Sequence, residues 1–223
     1  MKMLVFMILC SILANGAGAG LLLWEIRRLP ERYGLGENRR RMTGAWIYGV
    51  SMSVIAVGIS VFIFLFYQDN SFLFTLKRVT MLALLWPVAY VDFVTCRIPN
   101  RFIAGGLLAR GSILTAELIL EQENLLPVLL SDAAAGLAFF LTAALCALIV
   151  KNSIGAGDMK LFFVMGTFLG LQGTWGAVFL SLVVSFVIAV VLLVTKKKSR
   201  KDAIPFGPAL MIGTYCSVFL TGM

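Results

Sequence analysis

Histidine is absent from this 223-residue sequence, and charge is scarce: 13% of residues are charged against 60% hydrophobic. Without imidazole there can be no His-Glu-x-x-His zinc site, no histidine-activated nucleophile and no histidine-ligated haem. Cysteine is sparse too. Cys10, Cys96, Cys146 and Cys216 include no Cys-x-x-Cys pair, so neither a zinc knuckle nor a redox pair is signalled, and they read as small buried apolar residues. The shortage of charge excludes a soluble domain of this length, which carries about a quarter charged residues.

Long apolar runs take the place of that missing charge. Eight spans are expected, at about 3–23, 46–67, 79–95, 102–120, 127–150, 157–171, 174–195 and 204–221. Most are of the length that crosses a hydrocarbon core. Backbone groups in lipid are satisfied only by helices or closed barrels, and the runs lack the alternation of barrel strands. The expected fold is all-α, a bundle of about eight transmembrane helices.

The net charge of +8 fits that reading without nucleic acid. Basic residues gather in alternate loops. Arg27, Arg28, Arg32, Arg39, Arg40 and Arg41 lie in the loop Glu25 to Ala45, and Lys196, Lys197, Lys198, Arg200 and Lys201 follow the seventh span. Lys2, Lys77 and Arg78 fall on the opposite side with Asp69, Glu121 and Glu123. The positive-inside rule then puts both termini outside and the basic loops in the cytoplasm. The first span resembles a signal peptide but runs on through Trp24 into basic residues, so it reads as an uncleaved helix.

Ionisable residues inside membrane spans are costly and point to function by default. Asp92 lies about one turn before Arg97, and its segment stops at Ile98-Pro99-Asn100, where proline disfavours helix. Asp158 follows Gly155-Ala156-Gly157 at the start of the sixth span. Both acids therefore reach the same depth on the same side. Gly155 and Gly157 let another backbone approach closely, although small residues also serve plain helix packing. Two neighbouring carboxyls tend to share a proton, so one can draw a proton from water while the other polarises a peptide carbonyl. Neither metal nor cofactor is needed. Arg110, Glu117 and Asp132 are better read as a structural ion group, with Asp132 at the outer start of the fifth helix neutralising Arg110.

The chain resembles the type IV prepilin peptidases, aspartyl proteases of the Gly-x-Gly-Asp class. The resemblance rests on Asp92 with Ile98-Pro99-Asn100, on Gly155-Ala156-Gly157-Asp158-Met159-Lys160-Leu161, and on Ile204-Pro205-Phe206-Gly207-Pro208. It covers a six-helix peptidase core at about 79–223, leaving 1–78 as a reduced two-helix region. It implies catalysis by Asp92 and Asp158, with Gly155, Gly157, Lys160, Pro99, Asn100, Pro205, Gly207 and Pro208 shaping the site. Lys160 either orients the site, contacts headgroups or snorkels from a helix end.

The implied partners are prepilin or pseudopilin precursors and membrane lipids. Their basic leaders would be cut at the cytoplasmic face of a prokaryotic inner membrane. The larger members' cysteine-rich loop has no counterpart in Glu25 to Ala45, so methyltransferase activity is not part of the expectation. Two rivals remain: a proton-coupled transporter using the two aspartates as relay acids, and an inactive scaffold of the same fold.

Overall fold

The computed structural model describes residues 2–33, 39–67, 70–120, 125–150, 154–196 and 204–221. Seven helices follow one another among them: α1 (Lys2–Tyr33), α2 (Arg39–Phe66), α3 (Phe72–Thr95), α4 (Asn100–Leu120), α5 (Leu125–Ile149), α6 (Ala156–Val194) and α7 (Gly207–Thr221). Helices α1 to α6 each hold a stretch long and apolar enough to cross a bilayer, and α7 is a shorter apolar helix. The chain is an all-α, multi-pass membrane protein.

Helix α6 is too long for one crossing. Its 39 residues laid straight would extend about 58 Å, nearly twice a hydrocarbon core. The helix instead breaks at Gly170, where φ is +67° and ψ is −173°. The Thr174 hydroxyl donates to the Met165 carbonyl at 3.3 Å, whereas residues nine apart on a straight helix stand about 13.5 Å apart. The chain therefore doubles back, with the expected sixth and seventh spans on either side of the break. Backbone of this kind is essentially open only to glycine. Gly170→Ala should lose about 1–3 kcal/mol, read as a lower unfolding midpoint in detergent micelles. Gly16→Ala is the control: its new methyl meets nothing within 4 Å in a helix, so it should be neutral or slightly stabilising.

Helix α3 is the centre of the bundle and touches α1, α2, α4, α6 and α7. It starts where the Ser71 hydroxyl accepts the Phe74 N–H at 3.2 Å, an N-cap bond. Pro87 supplies no N–H to the Ala83 carbonyl four residues back. Gly18 of α1 lies against that carbonyl so closely that a Cβ there would stand 2.7 Å from the oxygen. The buried Trp86 indole donates to Asn15 Oδ1 of α1 at 3.1 Å, and the Tyr215 hydroxyl of α7 donates to the Leu82 carbonyl at 3.0 Å. On the other side α5 and α6 meet backbone to backbone at Gly136 and Gly166, the close approach that small residues allow.

Several expectations need correction. Helix α3 begins at Phe72 rather than at 79, so Lys77 and Arg78 are buried within it instead of lying in an outer loop. Residue 78 itself lies inside α3, on which α1 packs directly. All of the described part of the basic segment Glu25 to Ala45 is helical, because α1 continues to Tyr33 and α2 starts at Arg39. Arg, Glu and Leu, none of them branched at Cβ, favour that continuation. Asp132 sits about two turns into α5, not at its start.

The cysteines are not buried: Cys96, Cys146 and Cys216 are exposed and Cys10 is half-buried. For Cys10, Cys146 and Cys216, which lie within apolar helices, a small apolar residue facing hydrocarbon satisfies the same composition argument as one facing the core. The side chains of Arg32 and Arg39 to Arg41, together with Asp69, Glu121, Glu123, Lys197, Lys198, Arg200 and Lys201, lie outside the described residues.

Candidate active site

Asp92 occupies the last turn of α3 and is 4% exposed. The helix ends at Cys96, which adopts the left-handed conformation (φ 50°, ψ 35°) while its N–H donates to the Asp92 carbonyl at 2.7 Å. The chain then passes through Ile98 and the buried Pro99 into α4. Proline at that point keeps Ile98 out of the helical region and separates the two helices.

Asp158 lies in the first turn of α6, three residues beyond the N-cap Gly155. Its carboxyl reaches back to the Gly155 N–H, the acidic half of a capping box. The open N–H groups of a helix start favour a negative charge there. A Cβ on Gly155 would stand 3.0 Å from Asp158 Oδ2, and one on Gly157 would stand 2.9 Å from the Ile98 Cβ. Both glycines are thus places where a side chain would collide with the site's own wall.

The third motif completes the arrangement. The Gly207 N–H, at the first residue of α7, donates to Asp92 Oδ2 at 2.7 Å. The Phe206 N–H is a second backbone donor to the same carboxyl. Asp92 therefore faces the N-terminus of α7 as Asp158 faces that of α6, and two helix starts converge on two acids. A Cβ on Gly207 would lie 2.9 Å from Asp92 Cβ, so glycine is what lets α7 begin there. Pro208, as its second residue, fits a helix start, where no intrahelical N–H is needed.

Asp92 and Asp158 line one polar cleft of about 390 Å³, together with Cys96, Arg97, Asn100, Lys160 and the backbone of 155–157. Lys160 Nζ donates to Asn100 Oδ1 at 2.9 Å and ties the start of α6 to the start of α4. Pro99, Pro205, Gly207 and Pro208 lie outside the cleft lining, and Gly207 reaches the site through Asp92. A second hollow of about 480 Å³ opens beside Asp158 and is lined mainly by apolar side chains of α5 and α6.

Chemically, two carboxyls that share one proton in such a cleft can activate water with the ionised partner and polarise a carbonyl with the protonated one. Among the described residues no cluster of metal-binding side chains occurs. Cys96, Arg97 and Phe206 belong to these surroundings and were not singled out from sequence. Only their place within the three motifs marked them.

Fold and site together define a polytopic helical membrane protein whose two sequence-distant aspartates share one cleft. Residues 79–194 match the type IV leader peptidase family, and the chain belongs to that family. It is 32% identical over 136 residues to a prepilin leader peptidase/N-methyltransferase of Bacillus subtilis, covering 61% of this chain and 52% of the relative. The protein of the same name from Legionella pneumophila is 30% identical over 157 residues, 69% of this chain and 54% of the relative. A third, from Xanthomonas campestris, is 35% identical over 69 residues, 31% of this chain and 24% of the relative. The chain spans about half the length of the first two curated relatives it matches. No solved structure matches it.

Proposed function

We propose that this chain is a membrane aspartyl endopeptidase that removes the basic leader of prepilin-like or pseudopilin precursors. The observation that carries the reading is the convergence of Asp92 and Asp158 on one cleft, each carboxyl held by backbone N–H groups at a helix start. No metal or cofactor enters the reaction. Family membership and the relatives' names supply the substrate class.

In this reading the cleft faces the cytoplasm, both termini lie outside, and α6 crosses twice, making eight crossings. Charge supports the orientation. Arg97 and Lys160 line the cleft, and the Trp24 ring nearby is flanked by the guanidinium groups of Arg28 and Arg101 at 4.2 and 3.9 Å. Tryptophan and basic side chains together mark the cytoplasmic interface. The scissile segment must be unwound there, because helical carbonyls are already hydrogen-bonded.

Co-expression with a precursor carrying a short basic leader, a glycine and an apolar helix tests the proposal. The precursor should shorten on gels by the length of its leader. A full-length precursor beside normal amounts of this chain would sink it. Gly207→Ala should slow shortening by about 10- to 100-fold at unchanged protein level, since the new methyl displaces Asp92 and misplacement of about 1 Å costs that much.

A further inference from the structure

The two cavities beside Asp158 differ in character, and Asp158 lines both. The cleft is lined by Asp92, Arg97, Asn100, Asp158 and Lys160, with Cys96, Ile98 and the backbone of 155–157 between them. The groove is walled by Phe139, Cys146, Phe162, Trp175 and Leu182, and its Cys146, Trp175 and Leu182 are exposed along spans that cross the bilayer. We propose that the substrate threads the site in one direction, its leader in the polar cleft and the first turns of its apolar helix in this groove. The scissile bond then lies at Asp158, where the two meet. The inference rests on the peptidase reading and adds to it a binding surface and a polarity.

Position along α6 sets the groove's reach. Asp158 precedes the break at Gly170 by twelve residues and Trp175 follows it by five. Trp175 therefore lies about 10 Å deeper than Asp158, a distance of two helical turns. Its ring pairs with Phe139 at 6.3 Å and forms the deep end. A soluble peptide gains nothing in a groove that opens on hydrocarbon. A helix already in the bilayer enters it sideways and keeps its polar leader on the aqueous side, continuous with the acid pair.

The chain carries its own reporters, because Cys96 lines the cleft and Cys146 the groove. The full chain is prepared with one of these thiols kept and the other cysteines changed to Ala, with Asp92→Asn added to hold the precursor intact. Precursors carry a single cysteine scanned through the leader and through the first two turns of the helix, and the thiols are joined by a short bismaleimide in membranes. Cys96 should capture leader positions and Cys146 helix positions, each about tenfold above the swapped pairing, as the effective concentration of a bound thiol requires.

Reversed or equal yields overturn the proposal. So do adducts joining two Cys146 thiols without precursor, which would show a second copy in the groove. Leader removal by the Asp92-intact single-thiol chains without any Cys146 adduct overturns the groove and leaves the peptidase standing. No leader removal by the unmodified chain removes both. Leu182→Trp in the four-cysteine chain is an independent check: it should raise KM several-fold with kcat held, and an unchanged KM counts against the groove.

Discussion

Asp92→Asn and Asp158→Asn should each slow leader removal by about 10³-fold or more, within the range a positioned acid or base contributes. The substitutions are nearly isosteric, so the fold has little reason to respond. In the first variant the new amide oxygen still accepts the Gly207 N–H that Asp92 accepts at 2.7 Å. In the second it still reaches the Gly155 N–H that Asp158 reaches. What is lost is the exchangeable proton. In the proposed mechanism one member is ionised while the other is protonated, and an amide neither takes up nor gives up a proton at neutral pH. The double variant should therefore be no slower than either single, as expected of groups that act as a unit. Rates are read from the shortened product in membranes, normalised to the amount of enzyme. Retention of more than about a tenth of the parent rate by either variant contradicts the mechanism, because general acid–base catalysis is worth at least a hundredfold.

The acid pair was legible in the sequence for a simple reason. A chain with so few charges makes each one inside a span stand out, and Asp92 is followed by a proline stop while Asp158 directly follows a Gly-x-Gly, a combination more specific than either glycine alone. The role of Gly207 was legible only as part of a motif. Its physical reason, a helix start pressed against the Asp92 side chain, needs coordinates because the two residues are joined by no local pattern. The turn at Gly170 was half visible. The apolar stretch from 157 to 195 is too long for one crossing, but which glycine reverses it depends on backbone angles.

Lys77 and Arg78 show where hydropathy fails. A window that scores transfer from water trims charged residues from the ends of a span, and so places them in a loop. Here α3 takes them inside, because acids on other helices await Lys77 and because Arg78 lays its guanidinium over the Phe74 ring at 3.1 Å and donates to the Phe74 carbonyl. The sequence did contain the acids. Glu117 and Asp132 were recognised as partners of Arg110, but with Lys77 outside, the group was one base short.

The completed group sets the largest expected effect on stability. Lys77 Nζ lies 2.9 Å from Asp132 and 3.3 Å from Glu117, and Arg110 lies 2.9 Å from each of the same acids. Arg110 also donates to the Thr167 carbonyl at 2.7 Å, so α3, α4, α5 and α6 are joined at one point. All four charged side chains are buried and their formal charges cancel. Glu117→Leu removes one acid and leaves two bases facing Asp132, which should cost about 3–5 kcal/mol. Lys77→Met leaves the opposite excess and should also destabilise. Made together, the two leave the neutral Arg110–Asp132 pair, so the double variant should be more stable than the sum of the singles by about 1–3 kcal/mol. Unfolding midpoints in mixed micelles measure all three, and strict additivity would mean the four side chains do not act as one unit. Arg110 lies ten residues beyond Asn100 on α4, about 15 Å from the cleft. Leader removal per folded molecule should therefore stay at the parent level, which separates a structural clasp from a second catalytic centre.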